Sequence, residues 1–158
     1  MEDIFAGKEI VEIGIQIEKN GRDFYNTLLR KSKDLKAQEL FKFLATEEEK
    51  HIKTFQKILE KTNKFETQGL DSDDYFAYMN ALASEHVFTK ANTGELVAKS
   101  IKSDQEAIEM AIGFEKDSII YYEGVKKVVS DYDIKTVDAL IIQEQDHLRR
   151  LIKMKHLA

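Results

Sequence analysis

Two segments of the chain each place a glutamate three residues before a histidine. Glu48 precedes His51 in ATEEEKHIKTF, and Glu144 precedes His147 in ALIIQEQDHLRRL. Carboxylate oxygens and imidazole nitrogens bind divalent metal ions, and residues three apart share one face of a helix. The pattern therefore predicts a metal site built on helices.

The second segment decides which glutamate of the first one matters. Positions 47, 48 and 49 are all glutamates, whereas positions 143 and 145 of the second segment are glutamines. Only the acid three residues before the histidine occurs in both copies. The preceding segments IGIQIEKNGRDFY and MAIGFEKDSIIYY also align, so we expect an internal repeat whose two halves serve one site from opposite sides.

A single glutamate also interrupts the apolar stripe of each preceding segment. Glu18 lies between Gly14 and Gly21, and Glu115 lies between small residues at positions 111 and 118. A glycine inside a helix costs roughly 1 kcal/mol relative to alanine. We therefore expect the small residues to leave room beside the glutamates for an ion and its solvent ligands.

Burial of these acids requires compensation by cations. Four ionised carboxylates in a helical core cost several kcal/mol each when nothing neutralises them. Two divalent cations balance four carboxylates, and the nitrogen and oxygen donors suit iron or manganese. Six residues are the predicted ligands: Glu18, Glu48, His51, Glu115, Glu144 and His147.

The elements that must position these residues are long helices. The 158-residue chain has no proline and only seven glycines, so little interrupts helical segments at about 7–30, 34–62, 104–130 and 134–156. Short polar breaks pair them into two antiparallel hairpins. Three N-terminal caps are predicted, at Asp34, Asp133 and Ser103, the last with Glu106 in a capping box.

A crossover of about forty residues, 63–103, must join the two hairpins. Within it, the segment DYFAYMNALASEHVF predicts one short helix that places Tyr75, Tyr78, Met79 and Leu82 on its packed side. The predicted fold is all-α, an antiparallel four-helix bundle in a single domain, 1–158.

Composition excludes several classes of protein. The absence of cysteine removes disulfides, thiolate metal sites and thiol catalysis. A net charge of -5 with interspersed lysines argues against a nucleic-acid partner. The chain shows neither a secretory signal nor a membrane-spanning stretch, so we expect a soluble cytoplasmic protein.

One glutamate from each of two helices, with Glu-x-x-His from each of the other two, resembles the ferritin-like di-iron domain of the rubrerythrin family. The resemblance covers residues 7–62 and 104–156. It implies that the six residues bind two iron ions, for which manganese or zinc can substitute, with Glu48 and Glu144 bridging. It also implies that Tyr25 and Tyr122 hydrogen-bond to ligand carboxylates.

The resemblance further implies a homodimeric oxidoreductase that reduces hydrogen peroxide or dioxygen. Full rubrerythrins carry a rubredoxin domain whose cysteines hold an iron for electron delivery. Because this chain has no cysteine, we expect a separate electron-donor protein. Typical members also have an extra glutamate where this chain has Ser118, which bears on how its metals would change ligands.

Other interpretations compete with peroxide reduction. The same site would serve ferroxidase chemistry and iron handling in a ferritin-like assembly, or remain as a relic in a non-catalytic interaction module. One Glu-x-x-His pair alone could equally be an incidental ion pair on a helix tilted toward the surface. The remaining glutamates, Glu47 among them, are assigned to solvated faces, and His86 and His156 receive no role.

Overall fold

Helices make up all the regular structure of the described residues, which are 2–61 and 72–157, with side chains from 7–60 and 73–157. The coordinates are a computed structural model. None of the helices in these ranges has the length and apolar character needed to cross a membrane. In chain order they are α1 (Glu2–Lys31), α2 (Leu35–Lys61), α3 (Ser72–Glu85), α4 (Thr93–Ser100), α5 (Asp104–Val125) and α6 (Asp131–Leu157).

The four long helices form the predicted bundle of two hairpins. α1 packs along α2, and α5 packs along α6, because the connections between the members of each pair are short and force them to run antiparallel. The two hairpins then contact each other through α2 with α6 and α1 with α5. The apolar stripes of all four helices meet in one core.

Two of the predicted caps are confirmed by hydrogen bonds. Asp34 Oδ2 accepts from the backbone N–H of Ala37 at 2.9 Å. Ser103 Oγ accepts from the backbone N–H of Glu106 at 3.1 Å, while the Glu106 carboxylate accepts from Lys102 N at 3.2 Å. Each cap satisfies donors that the first turn of a helix leaves without partners.

The third predicted cap is wrong, and α5 ends five residues before its predicted bound of 130. α5 ends at Val125 and α6 begins at Asp131, because the chain between them folds into tight turns that bury Val128 and its neighbour at position 129. Asp133 consequently lies inside the first turn of α6. It is 2 % exposed, and its Oδ2 accepts a hydrogen bond from the Ser130 hydroxyl at 3.1 Å.

The crossover contains α3 and also α4, a second helix that was not predicted from the sequence. Residues 62–71, at the start of the crossover, lie outside the described residues. α4 packs on α1, and α3 packs on α5 and α1. Tyr75 and Met79 of α3 are buried as expected, but Tyr78 is 51 % exposed, so its predicted place on the packed side is wrong. The crossover therefore covers the α1 and α5 side of the bundle.

Two α1 side chains hold the crossover in place. Asn20 Nδ2 donates to the carbonyls of Phe88 and Lys90 at 2.5 and 2.7 Å, while its Oδ1 accepts from Gly94 N at 3.2 Å. Lys31 Nζ donates to three carbonyls at the end of α4, those of residues 98, 99 and 101. These bonds fix α4 against the helix that carries Glu18.

Replacing Gly94 with alanine should destabilise the protein. A Cβ at this position would overlap the backbone carbonyl of Asn20, so α4 would have to move away from α1. We expect a loss of about 1–3 kcal/mol in the free energy of unfolding, measured by urea denaturation.

Gly113→Ala is the matched control. Gly113 lies within α5, and a Cβ there would have no atom within 4 Å, so helix propensity should stabilise this variant by up to about 1 kcal/mol. Equal stability of the two variants would contradict the close approach of α4 to α1.

Candidate metal centre

The six predicted ligands lie together in the core, each at most 2 % exposed. Their donor atoms form two groups, and within each group all atoms lie within 4.8 Å of one another. Because Glu48 and Glu144 belong to both groups, each can offer oxygens to two ions. The first group is Glu18, Glu48, His51 and Glu144; the second is Glu48, Glu115, Glu144 and His147.

The two imidazoles turn the same nitrogen toward the carboxylates. His51 Nδ1 lies 2.7 Å from Glu144 Oε1 and 3.6 Å from Glu18 Oε2. His147 Nδ1 lies 3.4 Å from Glu48 Oε1 and 3.6 Å from Glu144 Oε2. The rings stack with centroids 5.6 Å apart, so helices α2 and α6 present their histidines side by side.

The outer nitrogen of His51 meets Gln143, a residue with no predicted role. His51 Nε2 lies 2.6 Å from Gln143 Oε1, and an amide oxygen can only accept, so this nitrogen carries the hydrogen. In the neutral ring, Nδ1 then presents a lone pair to carboxylates. That juxtaposition is repulsive unless a cation or a proton lies between them.

His147 has a different group at the equivalent place. Its Nε2 lies 3.8 Å from Glu47 Oε1, a side chain that is 16 % exposed rather than fully solvated as expected. Glu47 and Gln143 each lie four residues before a histidine and occupy equivalent positions in the repeat. Their shared position, four residues before a histidine in each copy of the repeat, is the sequence signal that could have found them. In the structure, each meets the histidine of the other hairpin.

Charge confined in the core shifts several pKa values. Burial, followed by the charge of Glu144, raises the pKa of Glu48 and of Glu115 well above the usual range. Burial alone would also raise the pKa of Glu144, but a hydrogen bond from Glu115 and the charge of His51 hold it well below. Burial lowers the pKa of His51, yet the charges of Glu18 and Glu144 raise it to about 11. Without metal, this core retains protons.

The unsatisfied atoms fit a pair of divalent cations. Among the described residues, ten buried side-chain nitrogen and oxygen atoms lack a hydrogen bond of good geometry, and nine of them belong to the six predicted ligands. Both oxygens of Glu48 are among them. Burying so many unpaired polar atoms together is costly unless metal ions bind them. The assignment of the six residues as ligands stays a prediction that this fit supports.

Two tyrosines join the halves of the site. Tyr25 O–H donates to Glu115 Oε1 at 2.7 Å, and Tyr122 O–H donates to Glu18 Oε1 at 2.6 Å, so each tyrosine holds a carboxylate of the other hairpin. Burial, together with the nearby carboxylates, raises the pKa of both phenols well above the usual range. Both therefore stay protonated donors, and one oxygen of each carboxylate is left for an ion.

The room expected beside Glu18 is taken up by aromatic rings. A Cβ at Gly14 would meet the Phe55 ring at 3.5 Å, and one at Gly21 would meet the Phe114 ring at 2.7 Å and Glu48 Oε2 at 3.2 Å. Those glycines therefore admit close packing of Phe55 and Phe114, and Gly21 also admits the Glu48 carboxylate.

Ser118 takes part in a hydrogen-bonded chain with the crossover. Phe88 N donates to His86 Nδ1 at 3.1 Å, which leaves the hydrogen of the neutral ring on Nε2, 3.0 Å from Ser118 Oγ. Ser118 in turn donates to the Phe114 carbonyl at 2.8 Å. Burial lowers the pKa of His86 to about 4, which keeps the ring neutral at neutral pH. This contact could not be predicted from the sequence because it depends on the path of the crossover.

The metal-free protein should lose thermal stability as the pH rises. The raised pKa of Glu48 and Glu115 gives stability that is complete below their ordinary value of 4.5 and is lost as the pH passes their folded values. His51 adds stability that is complete below 6.5 and is lost toward about 11. The lowered pKa of Glu144 gives stability that is complete above pH 4.5 and is lost only as the pH falls below that value. Calorimetry on protein stripped of metal by a chelator should show a Tm that falls from about pH 5 to 9.

Saturation with a divalent cation should abolish that fall, since bound carboxylates no longer need protons. A Tm of the chelated protein that stays level or rises over this range would contradict the buried cluster of acids.

Gln143→Ala should weaken metal binding about tenfold, because the hydrogen bond that orients His51 is lost. Competitive titration of the chelated protein with Zn²⁺ measures the change. Gln145→Ala is the matched control, since Gln145 is exposed on the same helix, and its affinity should equal that of the unaltered chain. Equal affinities for both variants would remove Gln143 from the site.

Comparison with known proteins places this geometry in context. Residues 9–155 match the sequence profile of the Rubrerythrin family. Among curated proteins, no match is found. A similar solved structure comes from Thermotoga maritima and is described as a ferritin-like diiron-carboxylate protein; its TM-score is 0.68 at 27 % identity, over 95 % of this chain and 94 % of that one. The predicted ferritin-like fold is thereby confirmed, and the chain belongs to the rubrerythrin family.

Proposed function

We propose that the protein is a non-haem di-iron carboxylate oxidoreductase that reduces hydrogen peroxide to water with electrons from a separate donor. The observation that carries this proposal is the pair of buried donor groups that share Glu48 and Glu144. Membership of the rubrerythrin family supports the same chemistry.

Two bound iron ions would supply the two electrons that, with two protons, convert one hydrogen peroxide into two waters. The chain itself provides an enclosed site. All six predicted ligands are buried, so only a small molecule can approach them, and peroxide meets that requirement.

The tyrosines have a positioning role in this proposal. Their raised pKa keeps the phenol hydrogens in place, so Tyr25 and Tyr122 hold Glu115 and Glu18 instead of supplying protons to peroxide. The protons must therefore come from solvent or from the acids of the core.

Iron handling by ferroxidase chemistry with dioxygen is the second candidate. The observation that favours it is the serine at position 118, which bonds to His86 and to a backbone carbonyl where typical members supply a further carboxylate. Without that carboxylate, the redox-linked exchange of metal ligands that the family resemblance implies would lack one of its groups, which would make peroxide reduction less efficient.

Rapid mixing distinguishes the two candidates. The iron-loaded protein is reduced without air and mixed with one equivalent of hydrogen peroxide or with air-saturated buffer, and oxidation is followed by absorbance. We expect oxidation by peroxide to be at least about tenfold faster, a difference of about 1.4 kcal/mol in activation free energy.

Zinc-loaded protein is the control and should show no change in absorbance. Equal rates with the two oxidants would count against peroxide reduction. Gel filtration adds a second check, since a large closed shell would favour iron handling, whereas a dimer would agree with the expected assembly.

A further inference from the structure

We infer that the exposed face between α2 and α6 is the docking surface for an acidic one-electron-transfer protein. This inference rests on the proposed function, because a donor is needed only if the centre turns over. It adds the place where the donor binds and the charge that the donor carries.

The buried centre is separated from solvent by one layer of side chains on this face. His51 reaches Gln143, which is exposed. The His147 ring meets the edge of the half-buried Phe43 ring, with centroids 5.8 Å apart, and the Arg150 guanidinium lies 4.4 Å above Phe43. By contrast, the α1 and α5 side is covered by α3 and α4. A donor seated over α2 and α6 therefore comes nearer to the predicted ligands than one seated on the covered α1 and α5 side.

This face carries a groove that we call the basic groove. Its positive residues are Lys36, Arg149, Arg150 and Lys153, and one acid, Glu39, also lines it. Asp146 forms ion pairs with both arginines at 2.7 Å. Four positive charges thus face two negative ones, in a chain whose net charge is -5.

Apolar surface completes the groove. Leu157 is 65 % exposed, and the half-buried Phe43 and Met154 lie in the same groove. Transient complexes commonly combine a small apolar centre with complementary charges that steer the encounter and set its orientation. The combination suits a partner with an acidic rim around its redox group.

Two other occupants fit less well. A second copy bound through the same groove would place like charges opposite each other, because a twofold dimer pairs a patch with itself. A nucleic acid would meet a positive patch only a few residues wide on an acidic chain.

The electron balance defines the donor. Each reduced carrier gives one electron and leaves oxidised, so two encounters supply the electrons for one hydrogen peroxide, and two protons complete its conversion to two waters. A small acidic iron-sulfur protein such as a plant-type ferredoxin has the required charge and capacity.

Binding is tested with this ferredoxin as the probe. Oxidised ferredoxin is titrated into the full chain loaded with zinc, at low ionic strength, by calorimetry. We expect the variant Arg149→Glu/Lys153→Glu to raise the Kd at least about tenfold, and added salt to weaken binding of the unaltered chain. The control variant Lys102→Glu/Lys127→Glu changes net charge equally at exposed positions outside the groove, and its Kd should stay within about twofold of the unaltered chain.

The outcomes are distinct. Failure of the unaltered chain to bind, or equal weakening in both variants, would overturn the docking surface. So would gel filtration showing that the groove variant alone dissociates a dimer, since the groove would then join two copies. If binding depends on the groove while iron-loaded protein fails to reduce peroxide, the docking surface stands and the proposed function fails.

Discussion

The burial of four carboxylates at one point is the constraint on which the rest of the structure depends. Acids without solvent must share protons, accept hydrogen bonds or bind cations. The bundle supplies hydrogen bonds for some of the surrounding atoms through Tyr25, Tyr122 and Gln143, and leaves others without partners. Among the described residues, the atoms left over belong to members of the two donor groups, apart from Asp133 Oδ1, and only His147 Nε2 of them faces outward toward Glu47. The same feature that weakens the metal-free fold therefore creates affinity for divalent ions.

The internal repeat explains why a site of this complexity needs few distinct parts. Each hairpin contributes a glutamate, a Glu-x-x-His pair and a tyrosine, and the tyrosine of one hairpin holds the glutamate of the other. The halves differ outside the histidines, where His51 meets the amide of Gln143 and His147 lies near the carboxylate of Glu47. Two ions bound here would therefore have unequal surroundings despite nearly equal ligands.

Sequence periodicity predicted the long helices and the cluster of six residues, because a polar residue in an apolar stripe is conspicuous when it recurs in a repeat. It could not predict contacts made by the crossover, such as those of His86 and Asn20, since these depend on how a long connection lies in space. The prediction for Gly14 and Gly21 was wrong, because a small residue indicates that other atoms come close without showing which atoms they are. Here they are the rings of Phe55 and Phe114 rather than an ion. The end of α5 was missed because local propensity allows a helix there, whereas the turns that bury Val128 and Val129 depend on packing against the rest of the bundle.

Enclosure of the centre has a consequence for how ions reach it. With every predicted ligand at most 2 % exposed, an ion can enter or leave only when the side chains or helices that cover the centre move apart briefly. Loading and loss are then governed by the frequency of such openings more than by equilibrium affinity. A fully loaded molecule should consequently keep its ions far longer than a tight but open site of equal strength, and chelators should strip it at a rate that does not depend on their concentration.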